Sequence, residues 1–270
     1  MPDSQHQHVR VGLFVTCVVD LFRPGVAIAA AKLLDQAGYV VVVPAHQQCC
    51  GQPALSAGDE EEARAMARDA IAAFEGFDHV VAPSGACART LKIHYPALFA
   101  DDRHWHARAS AFAARVHELT SFLVDVAGVT GINARVEGSV TYQDCCAGLR
   151  DLGIAEQPRR LLGAVDGLTL HEMEAAGACC GLDGGCRGEA AESKTRHIRA
   201  SGAGTLLAGD LGCLMNLAGR LKREGSAIEV RHVAEVLAGM NDTPPIGGVR
   251  DGRATRQNDK NNFTGRPRTT

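Results

Sequence analysis

The chain has 270 residues, of which 46% are hydrophobic and only 4% aromatic, so its core must be built mainly from Ala, Val and Leu, as in helices packed on a sheet. The formal net charge of -3 at pH 7 favours neither nucleic acid nor an anionic membrane surface as a partner. No apolar run approaches the roughly 18 to 20 residues that cross a bilayer, which argues against direct insertion into a membrane.

The polar, His-containing residues 1–8 are predicted to be disordered, and a regular order of strands and helices follows them. Short β-branched apolar runs indicate strands, and Ala-rich segments with helical spacing indicate helices. The run 39–43 is apolar throughout, which is typical of a strand buried on both faces. In the first half we predict strand 9–16, a helix from about 25 that Gly38 ends, strand 39–43, a helix from about 59 to 74, strand 78–82, helix 88–94 and helix 118–127.

The same order returns in the second half. We predict strand 139–142, helix 158–164, strand 168–172, helix 189–200, strand 205–208, helix 214–223, strand 228–231 and helix 232–237. Alternating strands and helices predict an α/β fold of two pseudo-symmetric halves, each a small, mostly parallel sheet flanked by helices. The predicted halves span residues 9–128 and 138–239. Residues 240–270 are rich in Pro, Gly, Asn, Arg and Asp without periodicity, which predicts a disordered tail.

Most of the ten cysteines form one constellation that occurs twice. Each half has a single cysteine, then an adjacent pair followed by glycine, then another single cysteine. The first set is Cys17, Cys49, Cys50 and Cys87, and the second set is Cys146, Cys179, Cys180 and Cys213. Each position follows a predicted strand, and the loops at the C-terminal ends of parallel strands meet at one sheet edge. We therefore expect each half to bring four thiols together in such loops.

Three uses of these thiols compete. A structural zinc ion takes four tetrahedral ligands, and adjacent cysteines chelate one small ion poorly. An iron-sulfur cluster offers several separated irons, so adjacent thiolates can bind different irons of the same cluster. Thiol–disulfide redox chemistry is also open. The pattern favours iron-sulfur binding, because inert burial, the default for a single cysteine, does not explain a duplicated set.

Two further cysteines lie outside the repeat and are candidate extra ligands. Cys145 immediately precedes Cys146, and Cys186 follows two glycines near the second cysteine pair. The length of the chain and its polar start favour a cytoplasmic protein with reduced thiols over a secreted disulfide framework. No GxGxxG or Walker pattern indicates a nucleotide site.

The motifs around the cysteines are FVTCVVD at 14–20, CCGQPA at 49–54, PSGACA at 83–88, CCG at 179–181 and GCLMN at 212–216. Together they resemble the CCG cysteine-rich domain family, closest to the lactate-utilisation protein A group, over about residues 9–238. The resemblance implies that the repeated cysteines hold one or two iron-sulfur clusters of the [4Fe-4S] type. It also implies an oxidoreductase subunit that oxidises L-lactate, a small 2-hydroxy acid, together with a ferredoxin-like iron-sulfur subunit and a third lactate-utilisation subunit.

The chain departs from the family pattern mainly in its second half. The fullest family box has a further cysteine three residues before the last one, where this chain has Ser84 and Asp210. Each half therefore keeps four ligands rather than five. Gln143 and Ala147 stand where the lactate-utilisation group has histidines around Cys146. We expect the second site to have an altered cluster or role.

Two other functions fit the same pattern. The wider family includes the iron-sulfur subunit of glycolate oxidase and the catalytic B subunit of heterodisulfide reductase, so one alternative is a subunit that acts on thiols and disulfides. The other is a zinc-bound or metal-free structural subunit of the same kind of complex. The pattern identifies no catalytic residue.

Overall fold

The computed structural model describes residues 9–182 and 188–248. The segments 1–8 and 249–270, which belong to the predicted disordered ends, and the candidate ligand Cys186 lie outside the described residues. The strands are β1 Arg10–Leu13, β2 Val40–Val42, β3 His79–Ala82, β4 Val116–Glu118, β5 Arg135–Gln143, β6 Asp166–Leu170, β7 Thr205–Ala208 and β8 Glu229–His232.

The helices flank these strands in both halves. They are α1 Cys17–Phe22, α2 Gly25–Gln36, α3 Gln52–Ala57, α4 Glu60–Ala73, α5 Gly85–Arg89, α6 Tyr95–Leu98, α7 Arg103–Ala113, α8 Leu119–Ser121, α9 Cys146–Leu152, α10 Glu156–Gly163, α11 Gly188–Ala200, α12 Leu211–Arg223 and α13 Val233–Leu237, with π-helical turns at Thr90–His94 and Phe122–Val126. Within the ranges that the structure describes, no helix is both long and apolar enough to cross a membrane.

The strands form two four-stranded sheets with the same order, β2-β1-β3-β4 and β6-β5-β7-β8. All strand pairs are parallel. In each sheet the first strand of the half lies inside and the second lies at the edge. The prediction of an α/β fold with two pseudo-symmetric halves is therefore confirmed.

Strand β2 differs from its prediction. Its apolar run predicts burial on both faces, but Val40 is 44% exposed and Val43, just beyond its end, is 50% exposed. The reason is topological, because β1 takes the inner position and leaves β2 with a neighbour on one side only. The elements α1, α3, α6, α7, α9 and β4 are also missing from the prediction. All of them except α7 have seven residues or fewer, and segments this short carry little periodic signal. Helix α7 has 11 residues and lies in a region for which the sequence predicts no element.

The longer helices form where local chemistry favours them. Helix α4 begins after Asp59, whose side chain accepts a hydrogen bond from the Glu62 N–H at 3.1 Å. The acidic first turn interacts favourably with the positive end of the helix dipole. Its buried face consists of Ala63, Ala67, Ala70 and Ile71. A helix buried through alanines lies close to its sheet, which is consistent with a core poor in aromatic side chains.

The two halves pack through corresponding helices. Helix α2 of the first half contacts α13 of the second, and α10 of the second contacts α8 of the first. At the first contact Arg23 Nε lies 2.8 Å from Glu235 Oε1. At the second, Gln157 Nε2 donates to Asp125 Oδ2 at 2.8 Å. One apolar core contains buried residues from both halves.

The segment after α13 also contacts the body of the protein. The Arg23 guanidinium donates to the Pro244 carbonyl at 2.8 Å, and the Ile246 N–H donates to the Val230 carbonyl at 2.8 Å. Residues 240–248, which composition assigns to the tail, are thus held against both halves.

A third contact joins α5 of the first half to α9 of the second. A Cβ atom added at Gly85 would lie 3.2 Å from Gly148 Cα, a separation tighter than most real Cβ contacts. The missing side chain at Gly85 therefore allows the two helices to approach closely. Because both helices carry cysteines in their first turn or at their first residue, this contact draws the thiols of the two halves together.

Candidate functional site

A cleft between the halves collects cysteines from both. Its volume is about 130 Å³, which exceeds the space of a single water molecule. Six of its seventeen lining residues are cysteines, one from the first half and five from the second. The cysteines that line it are Cys87, Cys145, Cys146, Cys179, Cys180 and Cys213, with Thr16, Gln52, Ser84 and Asp210 beside them.

The cysteines are not all in loops as predicted. Cys17 and Cys146 are the first residues of α1 and α9, and Cys87 and Cys213 lie in the first turns of α5 and α12. The two adjacent pairs do lie in loops, one after β2 and one after β6. The difference arises because these strands turn into helices within a few residues. A helix N-terminus by itself favours the ionised thiol. Here, however, hydrogen bonds to neighbouring thiols and burial raise the pKa of Cys17 and Cys213, and burial raises the pKa of Cys146.

The thiols of the first half form a continuous chain. Cys17 Sγ lies 3.5 Å from Cys49 Sγ, and Cys50 Sγ lies 3.3 Å from Cys87 Sγ. The pKa of Cys49 is lowered, first because its sulfur accepts a hydrogen bond from the Cys17 thiol and next because it accepts one from Cys50. The pKa of Cys50 is raised by its hydrogen bonds to Cys49 and Cys87 and by burial. Among the four thiols of the first half, Cys49 is therefore the one that ionises to the thiolate most readily.

The thiols of the second half are arranged differently. Cys180 Sγ lies 3.0 Å from Cys213 Sγ. The Cys213 thiol is also in hydrogen-bond contact with Cys145, and these two contacts with burial raise its pKa. The hydrogen bond from Cys213 lowers the pKa of Cys180 to about 7. Burial, together with the nearby Cys145 and Cys180, raises the pKa of Cys146.

The loops that carry the cysteine pairs are held in the same way in both halves. Gly51 and Gly181 have φ values of 81° and 82°, a left-handed conformation that favours glycine. The Tyr95 hydroxyl donates to the Cys50 carbonyl at 3.1 Å, and Asn216 Nδ2 donates to the equivalent carbonyl of the second pair at 2.8 Å. The glycine of each motif thus has a conformational role. The Tyr95 anchor is a residue that sequence reasoning missed.

The two residues that stand at the extra family cysteine positions bind each other across the cleft. The Ser84 hydroxyl donates to Asp210 Oδ2 at 2.7 Å. Ser84 also accepts from the Cys87 N–H, and Asp210 accepts from the Cys213 N–H. Each side chain therefore caps the helix that carries the last cysteine of its half. Their mutual hydrogen bond links the two helix starts.

Two buried titratable groups lie at equivalent places behind the cleft. Glu118 ends β4 and caps α8, and His232 ends β8 and caps α13. Burial raises the pKa of Glu118 to about 7, against the hydrogen bonds it accepts from Thr120 and Ser121. Burial lowers the pKa of His232 to about 4. One helix cap is therefore an acid that resists ionisation, and the other is an imidazole that resists protonation.

Lys194 is a second residue that sequence reasoning missed. Its side chain is buried, and its Nζ donates to the carbonyls of Ala175 and Ala176 at 2.5 and 3.0 Å. Burial lowers its pKa to about 8, while the nearby Asp144 and the thiols of the second half raise it. The lysine ties down the segment before the second cysteine pair and places an amine beside its thiols. A lysine inside an amphipathic helix gives no sequence signal for such a role.

The donor set has the chemistry of a soft metal group rather than of a single zinc ion. In the part of the chain that the structure describes, no three His, Cys, Asp or Glu side chains surround one point as ligands of a metal ion. Several thiols with helix-start positions and a shared cleft suit a cluster of several irons.

Known proteins share this cysteine pattern. The family model for the CCG cysteine-rich domain matches residues 11–92 and 140–218. "Lactate utilization protein A" of a Geobacillus species is 42% identical over 236 residues, which cover 85% of this chain and 99% of that protein. "Lactate utilization protein A 2" of Bacillus cereus is 38% identical over 241 residues, which cover 86% of this chain and 100% of that protein.

Among solved structures, the substrate-binding protein of a sugar ABC transport system from Bordetella parapertussis aligns with 86% of this chain and 70% of its own. The sequence identity is 13% and the TM-score is 0.28, a similarity too low to bear on the fold.

Proposed function

The chain belongs to the CCG cysteine-rich domain family, in the group of Lactate utilization protein A, and from that membership we propose that it is an iron-sulfur subunit of a complex that oxidises L-lactate. It holds one or two clusters of the [4Fe-4S] type. It works in the cytoplasm with a ferredoxin-like iron-sulfur subunit and a third lactate-utilisation subunit. It needs these partners for turnover.

The observation that carries the proposal is the cleft between the halves, where Cys87 of the first half meets five cysteines of the second. Helices α5 and α9 touch at glycines, and the cysteine-bearing corners of the two halves face each other across that contact. Soft thiolates at helix starts, with few competing oxygen ligands, are the donors that iron-sulfur clusters use.

Each residue has a separate task in this proposal. The first cluster is held by Cys17, Cys49, Cys50 and Cys87, and the second by Cys146, Cys179, Cys180 and Cys213. A bound cluster of this kind accepts and releases single electrons. The capping residues Ser84 and Asp210 hold the last thiol of each set in place. Tyr95 and Asn216 hold the loops of the two cysteine pairs through their carbonyls.

The overall reaction determines which electrons and protons the complex must transfer. Oxidation of a 2-hydroxy acid to a 2-oxo acid breaks one C–H and one O–H bond, forms a C=O bond, and releases two electrons and two protons. This chain receives electrons and passes them in single steps toward the partner subunits. We do not assign the acceptor of the proton or of the hydride equivalent to any residue of this chain.

A second candidate is thiol–disulfide chemistry at the same cleft. The contact between Cys180 and Cys213 at 3.0 Å favours it, because a short movement would bring the sulfurs to a disulfide length of about 2.05 Å. Two thiols would lose two electrons and two protons as the S–S bond forms. A disulfide substrate would take them and be cleaved to two thiols.

The test is metal analysis of protein purified without oxygen. We expect iron and acid-labile sulfide in near-equal amounts and a brown visible absorption. Cys50→Ser should lose the iron of the first site, whereas the matched variant Ser56→Ala, in the short helix α3 that follows the same loop, should keep it. Mixed with the two partner subunits, the parent protein should support L-lactate-dependent reduction of a dye.

Three results would count against the proposal. Stoichiometric zinc or a colourless, metal-free protein would remove the iron-sulfur assignment. Unchanged iron in Cys50→Ser would remove the first site. Activity with disulfide substrates but not with lactate, in the presence of the partners, would favour the second candidate.

A further inference from the structure

Cys145 has no thiol counterpart in the first half. It precedes the first residue of α9, as Thr16 precedes the first residue of α1. Thr16 caps its helix, because its side chain accepts a hydrogen bond from the Val19 N–H. The Cys145 side chain makes no such capping bond. Its position in the backbone is therefore that of a cap, but its sulfur is directed elsewhere.

The Cys145 sulfur joins the buried thiols of the second half. It lies in hydrogen-bond contact with Cys213, which in turn contacts Cys180 at 3.0 Å. Cys145 itself is buried, with 9% of its surface exposed. In the first half, the thiol at the corresponding corner is Cys17, which contacts Cys49. Cys145 thus takes part in a continuous series of three sulfurs that also lines the cleft.

The opposite half of the molecule provides the space for this sulfur. A Cβ atom at Gly85 would lie 3.1 Å from Cys145 Sγ, closer than nine in ten real Cβ contacts. Leu211 stands at the equivalent corner of the second half, after Asp210 as Gly85 follows Ser84. The additional sulfur of Cys145 therefore lies against the corner that has glycine, and the equivalent corner of the other half has leucine. The remaining cysteine of this corner, Cys146, is only half-buried.

We propose that Cys145 is a ligand of the second cluster, so that the second half supplies five thiolates where the first half supplies four. This inference rests on the proposed iron-sulfur function. The five thiolates are Cys145, Cys146, Cys179, Cys180 and Cys213. Cys145 reaches the cluster from the buried side of the cleft, beside Gly85, and Cys146 reaches it from the more exposed side.

The test removes the first site so that the remaining iron reports only on the second. The parent for this purpose is Cys50→Ser, and the test variant adds Cys145→Thr, which restores the residue found at the equivalent corner of the first half. Iron, acid-labile sulfide and the electron paramagnetic resonance spectrum after reduction are measured on protein purified without oxygen. Circular dichroism checks that both proteins are folded.

We expect Cys145→Thr to change the electron paramagnetic resonance spectrum of the remaining cluster and to lower the remaining iron, because the second site then keeps four of its five thiolates. A control, Ser56→Ala in that background, should leave the iron unchanged, because Ser56 is exposed in α3 of the first half. If Cys145→Thr fails to fold, Cys145→Ser, which differs by one atom, takes its place. An altered resonance spectrum at reduced iron content also supports a ligand role.

Full retention of iron and of the spectrum in a folded Cys145→Thr variant would overturn this inference and leave the proposed function intact. Loss of all iron in Cys50→Ser alone would overturn it too, because the second half would then hold no cluster. A wild-type protein without iron would instead overturn the proposed function itself. The wild-type measurement therefore separates the two failures.

Discussion

The two halves of the molecule share one backbone design and differ in the charges around their thiols. The glycine that follows each cysteine pair faces Ala63 in the first half and Ala191 in the second. Three residues further along the same helix, the first half has Met66 and the second has Lys194. Met66 packs beside its glycine, whereas Lys194 hydrogen-bonds two loop carbonyls. The same loop is thus held by apolar packing in one half and by a buried amine in the other.

This difference shows which features a duplicated fold retains. The left-handed glycine and the helix starts recur because few other residues adopt that backbone geometry. The side chains around the thiols diverge, as they do at Lys194, Cys145 and His232. The second half has therefore changed its electrostatics without changing its sheet order. Three pairs of substitutions test the contacts within and between the halves.

The largest expected contrast lies in the two helix contacts between the halves. Arg23→Ala leaves the Glu235 carboxylate buried, with 1% of its side chain exposed, and breaking such a pair costs about 3 to 5 kcal/mol. Gln157→Ala removes a solvent-exposed hydrogen bond at the equivalent contact and should cost about 0.5 kcal/mol or less. Urea unfolding of both variants measures the difference. Equal shifts would show that Arg23 and Glu235 are not the stronger link.

The next contrast concerns pH, because the two equivalent helix caps titrate in opposite senses. Burial raises the pKa of Glu118 to about 7, so the folded state holds a proton that the unfolded state has lost above pH 4.5. Stability from this group is present below pH 4.5 and falls by about 3 kcal/mol as pH rises to 7. Glu118→Gln, which keeps an acceptor for the cap, should abolish that fall. Thermal unfolding between pH 4 and 8 measures it.

His232 should show the reverse dependence. Burial lowers its pKa to about 4, so between pH 4 and 6.5 the unfolded state binds the proton and the folded state does not. This group therefore destabilises the fold by about 3 kcal/mol as pH falls from 6.5 to 4. His232→Asn keeps a capping acceptor for the Ala234 N–H and should remove that loss. If stability falls with pH by the same amount in His232→Asn and in the wild type, the attribution of this pH dependence to His232 is wrong.

The smallest contrast is at the helix starts. Ser84→Ala removes a helix cap and also leaves the buried Asp210 carboxylate short of one hydrogen bond, which should cost about 2 kcal/mol. Thr16→Ala removes a cap within one half only and should cost about 1 kcal/mol. A double-mutant cycle of Ser84→Ala with Asp210→Ala should give a coupling energy above about 0.5 kcal/mol. A coupling energy near zero would mean that the bond does not link the halves.

Much of the candidate site follows from spacing, and some of it does not. The repeated cysteine set predicts two groups of thiols at strand ends, and the structure places them there. The contribution of Tyr95 is hidden because its hydroxyl reaches Cys50 from α6, whereas Asn216 of α12 binds the equivalent carbonyl of the second half, so the two anchors do not share a repeated residue type. Lys194 is hidden because its burial depends on the loop that it contacts. Cys145 is a candidate in the sequence, but only its contact with Cys213 distinguishes it from a bystander.

The sequence by itself determined the alternation of strands and helices, the duplication and the identity of the thiols. These properties are local, because hydrophobic period, glycine and capping residues act over a few residues. Only the tertiary structure decided that β2 is an edge strand and that Cys87 of the first half shares a cleft with the thiols of the second. Both depend on surfaces far apart in the chain, above all on the approach of Gly85 to Gly148, and no local pattern records which surfaces will meet.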